Sequence, residues 1–188
     1  MRLDTINAVF IGGGTGMPIV LTGMKENPWI NPTAIVAVTD DGGSSGELSD
    51  THGILPMGDI LDCYMALAPD NPELRNFFTY RADIHTMGNL HIKTLFEQYG
   101  IIPGLKHFGQ ALGVLDRVLP VSTNMTTLCA EFSSGQIIKG ETAIDIVMRE
   151  RFQIKRLFLD PQVDGCEKAI KAIKRADAIC IGPGSTFT

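Results

Sequence analysis

The stretch Ala8-Val9-Phe10-Ile11-Gly12-Gly13-Gly14-Thr15-Gly16 sets a short apolar run directly against a cluster of glycines. Four consecutive apolar residues that stop at a turn signal read as a buried strand. Downstream, Thr15 to Lys25 carries Ile19, Val20 and Met24 at helical spacing. Thr33-Ala34-Ile35-Val36-Ala37-Val38-Thr39 is a second, β-branched run that ends at Asp40-Asp41. Strand, glycine turn, helix and strand make a βαβ unit, whose strands must be parallel and joined by a crossover.

From this unit the rest of the chain follows by pattern. Residues 42–57 are polar and rich in Gly and Ser, and are expected to form a long functional loop. The next segment is expected to be helical, with pieces at Asp59 to Leu67, Pro72 to Tyr80, Gly88 to Tyr99 and Gly104 to Leu112. Strands are expected at Arg117 to Val121, Thr127 to Phe132 and Gln136 to Gly140, the last two forming a hairpin about Ser133-Ser134-Gly135. Ile154 to Leu159 reads as a strand, Gly165 to Arg175 as a helix, and Ala178 to Ile181 as a final strand. The expected class is α/β: a Rossmann-like, doubly wound, mostly parallel sheet with helices on both faces and an inserted helical segment, all within one nucleotide-binding domain over 1–188.

Bulk composition narrows the partners. With 188 residues and 44% hydrophobic content, the chain can form a core without staples. A net charge of −5 argues against nucleic acid or an anionic membrane as the main partner. It does not oppose a small anion, which backbone N–H groups can hold. Cys63, Cys129, Cys166 and Cys180 lack the close pairing zinc requires and read as reduced thiols. The start lacks the basic and apolar regions of a signal peptide, and no run approaches the ~20 apolar residues of a membrane span. A cytoplasmic location is therefore expected, with homo-oligomerisation left open.

Five motifs carry chemistry. Gly12, Gly13, Gly14, Thr15 and Gly16 occupy the position of a dinucleotide-binding phosphate loop, although Met17 replaces its third glycine. Without a ligand the same run is a tight βα turn. Asp40-Asp41-Gly42-Gly43-Ser44-Ser45-Gly46 offers carboxylates for a ribose hydroxyl, or for Mg²⁺ at Asp40 or Asp41, followed by hydroxyls and amides for phosphate oxygens. Met57-Gly58-Asp59 reads either as a helix start or as a ligand contact. His85-Thr86-Met87-Gly88-Asn89 reads either as a helix cap or as a site in which His85 and Asn89 orient a ligand. Gly182-Pro183-Gly184-Ser185 follows a parallel strand, where ligands of open α/β sheets bind. Asp41 and His85 are the candidates for any catalytic role.

Taken in order, these motifs resemble the gluconeogenesis factor family (YvcK-like), within the wider group that includes 2-phospho-L-lactate transferase (CofD). The matching residues are Ile11 to Gly16, Asp40 to Leu48, Gly58-Asp59-Ile60, His85 to Leu90, Val118-Leu119-Pro120, Gly140-Glu141 and Ile181 to Ser185. The resemblance implies binding of a nucleotide, a uridine-diphosphate sugar in particular, and a role in growth and cell shape on gluconeogenic carbon sources. It also implies that the chain lacks the family's C-terminal third. The transferase branch instead moves a phospholactyl group from a guanosine diphosphate donor, with Mg²⁺. The Gly-Gly-Ser-Ser-Gly continuation after Asp41 aligns this chain with the gluconeogenesis factors, for which the resemblance does not itself assign catalysis. Two departures stand out: Leu61 where relatives commonly carry Arg, and Phe187 where they often carry Tyr. An NAD-dependent oxidoreductase is the third reading, weakened by Met17 and by the extra loop after Asp41.

Overall fold

The computed structural model describes residues 5–148 and 153–184. Its central sheet is parallel throughout, in the order β5-β2-β1-β9. The strands are β1 (Ile6–Gly12), β2 (Ile30–Val36), β5 (Val118–Pro120) and β9 (Ala178–Ile181). Chain order therefore runs outward from β1 through β2 to β5, then returns to add β9 on the other side of β1. This reversal between β1 and β9 is a topological switch point, where a crevice opens at the strands' carboxyl ends.

Strand periodicity of two explains why helices cover both faces. Ala8, Phe10, Ala34, Val36 and Val118 point to one side and join the largest core cluster. That side receives α1 (Gly16–Lys25) and α3 (Gly58–Leu67), which bury Met17, Leu21, Ile60 and Tyr64. Val9, Ile35 and Leu119 point to the other side, against Cys166 and Ala169 of the α8 region. Helix α8 spans Glu167–Arg175. The doubly wound reading holds.

The inserted helical segment lies between β2 and β5 and contains more helix than the sequence suggests. It comprises α2 (Gly43–His52), α3, α4 (Pro72–Thr79), α5 (Met87–Tyr99) and α6 (Ile101–Leu112). Helix α2 occupies most of the stretch expected to be a loop. Its Gly-Ser-Ser-Gly start has poor helix propensity. Burial of Ser44, Ser45, Gly46, Leu48 and Ser49 holds it instead. Helix α6 begins at Ile101 rather than Gly104 because Pro103 falls in the first turn, where its missing N–H has no helical partner to lose. A two-strand ribbon, β3 (Arg81–Ala82) with β4 (His85–Thr86), was not anticipated; it fixes His85 ahead of α5.

The antiparallel strands do not extend the parallel sheet. β6 (Thr127–Phe132), β7 (Ile137–Lys139) and β8 (Ile154–Asp160) form a separate sheet in the order β7-β6-β8. The hairpin turn is where the sequence places it, with Gly135 at φ +85° and its N–H donating to the Phe132 carbonyl at 2.9 Å. Helix α7 (Glu141–Met148) follows β7 and packs Ile144 against Leu128, Ala130 and Phe132.

Candidate functional site

The glycine turn after β1 and the loop after β9 are in contact. A Cβ on Gly16 would lie 3.1 Å from Pro183 Cγ, and one on Gly12 would lie 3.7 Å from Gly182 Cα. Gly14 takes φ +64°, which L side chains rarely adopt, so a glycine is required to turn the chain there. The Gly14 N–H donates to Asp59 Oδ2, in the first turn of α3. Gly13 faces the same carboxylate: a Cβ there would sit 2.6 Å from Asp59 Oδ2 and 3.2 Å from the Ala37 methyl.

Asp59 thus links the starts of α1 and α3, and a second contact brings in α2. Gly58 packs directly on Ser45 Oγ, in the first turn of α2. No side chain caps α1, α2 or α3. The orphan N–H groups and positive dipole ends of α1 and α3 therefore adjoin at the carboxyl edge of the sheet, with the start of α2 packed behind α3. A cleft of about 500 Å3 opens there, lined by Gly13, Gly14, Thr15, Gly16, Ala37, Asp59, Glu141, Asp145 and Gly184. Burial raises the Asp59 pKa above its ordinary 3.8, the Gly14 hydrogen bond opposes that shift, and the nearby Asp40 charge adds to it.

The second motif lies beside this cleft. Strand β2 ends at Val36, not Thr39, so Ala37, Val38 and Thr39 separate Asp40 from the sheet. The ladder continues for one more bond, Ala37 N–H to Gly12 carbonyl at 2.8 Å, before the chain turns towards α2. Asp40 Oδ1 accepts the Gly42 N–H at 3.0 Å. Asp41 Oδ1 accepts the Thr142 N–H at 2.9 Å and its hydroxyl at 2.6 Å, tying the start of α7 to the entrance of α2. Asp40, Asp41 and Gly46 border a smaller cavity of about 70 Å3. Gly42 lies between Asp40 and Thr142, and a Cβ on it would approach Thr142 Oγ1 to 3.8 Å. Gly43, at φ +52°, opens α2.

His85 and Asn89 gather around Ser44. Ser44 Oγ lies 3.0 Å from His85 Nδ1, and Asn89 Nδ2 donates to the same oxygen at 3.2 Å. Ser44 Oγ, with one hydrogen and two lone pairs, accepts from Asn89 and either donates to His85 Nδ1 or accepts from it, according to the histidine tautomer. Thr86 Oγ1 caps α5 by accepting the Asn89 N–H at 3.2 Å. Asn89 is buried, and its Oδ1 has no partner. This cluster adjoins α2 but does not line the large cleft. His91 stacks edge-on against Phe78, as a packing residue should.

The sequence motifs therefore fall into two groups. Gly13, Gly14, Thr15, Gly16, Asp59 and Gly184 line the cleft, with Gly12, Gly58 and Gly182 packed behind them. Ser44, His85 and Asn89 form the flanking cluster. Ser185 lies outside the described residues. Glu141 and Asp145 escaped the sequence reading as cleft residues because α7 went unrecognised; their four-residue spacing puts both on one face of that helix. No group of three or more metal-ligating side chains occurs among the described residues. No helix among them is long and apolar enough to cross a membrane.

A protein-family model described as 2-phospho-L-lactate transferase CofD matches residues 8–188. The chain belongs to the CofD family. Within it, the chain is 37% identical over 188 residues to a curated relative from Listeria innocua named gluconeogenesis factor, covering 96% of this chain and 57% of that protein. A gluconeogenesis factor from Bacillus subtilis is 37% identical over 189 residues, with 96% and 58% covered. The crystal structure of a UPF0052 family member from Bacillus halodurans superposes with a TM-score of 0.91 at 36% identity, covering 98% of this chain and 61% of that one. The CofD-family chain thus spans about three-fifths of the length of these relatives. Its Rossmann-like architecture is shared with the Bacillus halodurans structure.

Proposed function

We propose that this chain binds a nucleotide sugar of the uridine-diphosphate type in the glycine cleft. On this reading it acts as a cytoplasmic gluconeogenesis factor needed for growth and cell shape on gluconeogenic carbon sources. The observation that carries the binding reading is the meeting of two helix starts without side-chain caps, α1 and α3, at a glycine turn that lines the cleft. Bare amides and aligned dipoles favour a diphosphate even in an acidic protein. The names of the curated relatives support the physiological part.

The carboxylates suit the rest of such a ligand. Asp59, Glu141 and Asp145 line the cleft, and no Lys or Arg among the described residues does. Acceptors of this kind suit sugar hydroxyls, whereas they would repel a bare phosphate placed against them. Backbone amides of the glycine turn would hold the diphosphate once Asp59 releases the Gly14 N–H, and Glu141 and Asp145 would face the sugar. Thermal shift with a panel of nucleotides and nucleotide sugars tests this. Ligand at 100 times its Kd adds about 2.7 kcal/mol, or roughly 5 to 10 °C for a chain of this size. No shift with any member of the panel, on the full-length protein, overturns the reading.

The Asp40–Asp59 pair supports a second reading, a Mg²⁺-dependent transferase of the family's named type. Each carboxylate has one oxygen occupied by a backbone N–H, from Gly42 and Gly14 respectively. Mg²⁺ needs only one or two carboxylates when substrate phosphates complete its shell, and Asp40 and Asp59 lie near enough for their charges to interact. Bound there, Mg²⁺ would neutralise phosphoryl charge. The helix starts would orient the diphosphate. Turnover of a nucleoside diphosphate ester by wild type, lost in Asp40→Asn, would favour this reading over binding alone.

A further inference from the structure

Asp59 lines the cleft together with Gly13 and Gly14, and its carboxylate lies on the glycine turn itself. Oδ2 accepts the Gly14 N–H, and a Cβ on Gly13 would lie 3.8 Å from Asp59 Cγ. A negatively charged oxygen thus rests on a backbone amide just ahead of α1, where a helix start attracts an anion. The donor that a ligand phosphate needs is already in use by the protein's own side chain.

We propose that Asp59 is a built-in competitor for the phosphate seat, its carboxylate holding the Gly14 amide until a ligand phosphate displaces it. The inference rests on the nucleotide reading above and adds how that site is regulated. A binding-competent state that is only partly populated lowers the affinity of every ligand by the populated fraction. Asp59 therefore weakens all anions at this turn by one common factor. A lone phosphate, which only replaces one anion by another on the same amide, gains little. A ligand must add further contacts, through a second phosphate or a sugar, to bind appreciably.

Two features show that the carboxylate is placed to leave. First, it is weakly held. Among the described residues the Gly14 N–H is its one hydrogen-bond donor, and no Lys or Arg pairs with it. Burial disfavours its charge, the neighbouring Asp40 carboxylate disfavours it further, and Asp62, one turn along α3, adds a third interacting negative charge. Second, it has somewhere to go. Asp59 is half-buried, on the wall of a cleft of about 500 Å3. It belongs to the first turn of α3, which has no side-chain cap. Rotation about its first side-chain torsion keeps the carboxylate in that turn, where a negative charge is favoured by the helix dipole. The swing therefore costs little beyond the Gly14 bond, which the incoming phosphate remakes.

Calorimetric titration with inorganic pyrophosphate, in a chelator that removes divalent metal, tests this on wild type, Asp59→Ala, Asp59→Asn and Asp62→Asn. Melting curves confirm that each variant is folded. Asp59→Ala frees the Gly14 amide and should bind pyrophosphate about ten- to hundredfold more tightly than wild type, the worth of a hydrogen bond to a charged acceptor. Asp59→Asn should gain less, because its amide oxygen still accepts from Gly14. Asp62→Asn removes a like charge nearby without freeing that amide, and should stay within about threefold of wild type. The Gly14 amide resonance should move in Asp59→Ala alone and in wild type on adding pyrophosphate. Affinity unchanged or weakened in both Asp59 variants overturns the competitor, as does a gain in Asp62→Asn equal to that in Asp59→Ala, while the phosphate site stands in either case. Binding by neither wild type nor Asp59→Ala overturns the phosphate site, and the nucleotide reading with it.

Discussion

Gly13→Ala puts the geometry of the glycine turn under the most direct strain. The new methyl would lie 2.6 Å from Asp59 Oδ2 and 3.2 Å from the Ala37 methyl. Real Cβ atoms do not approach an oxygen so closely, so one partner must move. Ala37 is held by its N–H bond to the Gly12 carbonyl. Asp59 is a two-torsion side chain on the first turn of α3 and moves more easily, but its rotation breaks the bond from the Gly14 N–H. A hydrogen bond to a charged acceptor is worth about 1.5–3 kcal/mol. Gly14 is exposed, so water recovers part of that loss. The residual crowding at Ala37 adds to it. A net cost of about 2 kcal/mol follows, or roughly 4–8 °C in Tm for a chain of this length. Thermal unfolding followed by circular dichroism measures it, and the Gly14 amide resonance reports the lost bond. A variant that melts with wild type and keeps the Gly14 amide shift would refute the reasoning.

Four further outcomes follow from the same contacts. Burial raises the Asp59 pKa, so the folded state binds that proton more tightly than the unfolded chain, and ionisation opposes folding as pH rises above 3.8. Asp59→Asn should therefore melt at or above wild type at pH 7, and its advantage should vanish as the pH falls below 3.8, in melts across pH. Asp41→Ala removes both bonds to Thr142 and should cost about 1–3 kcal/mol in denaturant unfolding, with less lost in Asp41→Asn. Ser44→Ala leaves Asn89 Nδ2 without its acceptor; a loss of about 1–3 kcal/mol is expected, and a double-mutant cycle with Asn89→Ala should show coupling. Gly46→Ala drives a methyl into the Asp41 carbonyl, which is backbone and cannot swing aside. It should cost about 3 kcal/mol or more and appear as a drop in folded yield.

Much of the parallel core was readable because its signals are local. An apolar run against glycines marks β1 and its turn, and β-branched residues mark β2. A Ser-Ser-Gly turn between alternating segments marks the β6–β7 hairpin. What the sequence hid depends on tertiary contact. Gly43 to Gly46 look like loop because their helix propensity is poor; they are helical because small side chains alone fit beside Asp41 and Gly58. Helix α7 carries Ile144, Val147 and Met148 at helical spacing, but over only eight residues, and the cleft residues Glu141 and Asp145 sit on that same short helix. Strand-end glycine turns point to a shared crevice, and Gly13 to Gly16 and Gly184 do share one; that Asp40 to Gly46 border a smaller cavity beside it was not legible. Only the sheet order shows that Gly184 returns to Gly16, and that His85 and Asn89 belong to Ser44 rather than to the large cleft.

Backbone amide chemical shifts during titration with a uridine-diphosphate sugar test the central claim most directly. The account predicts saturable shifts concentrated at Gly13 to Gly16 and at Gly58 and Asp59, the turns where α1 and α3 begin. Saturable binding whose shifts fall elsewhere, with those amides unmoved, would contradict it.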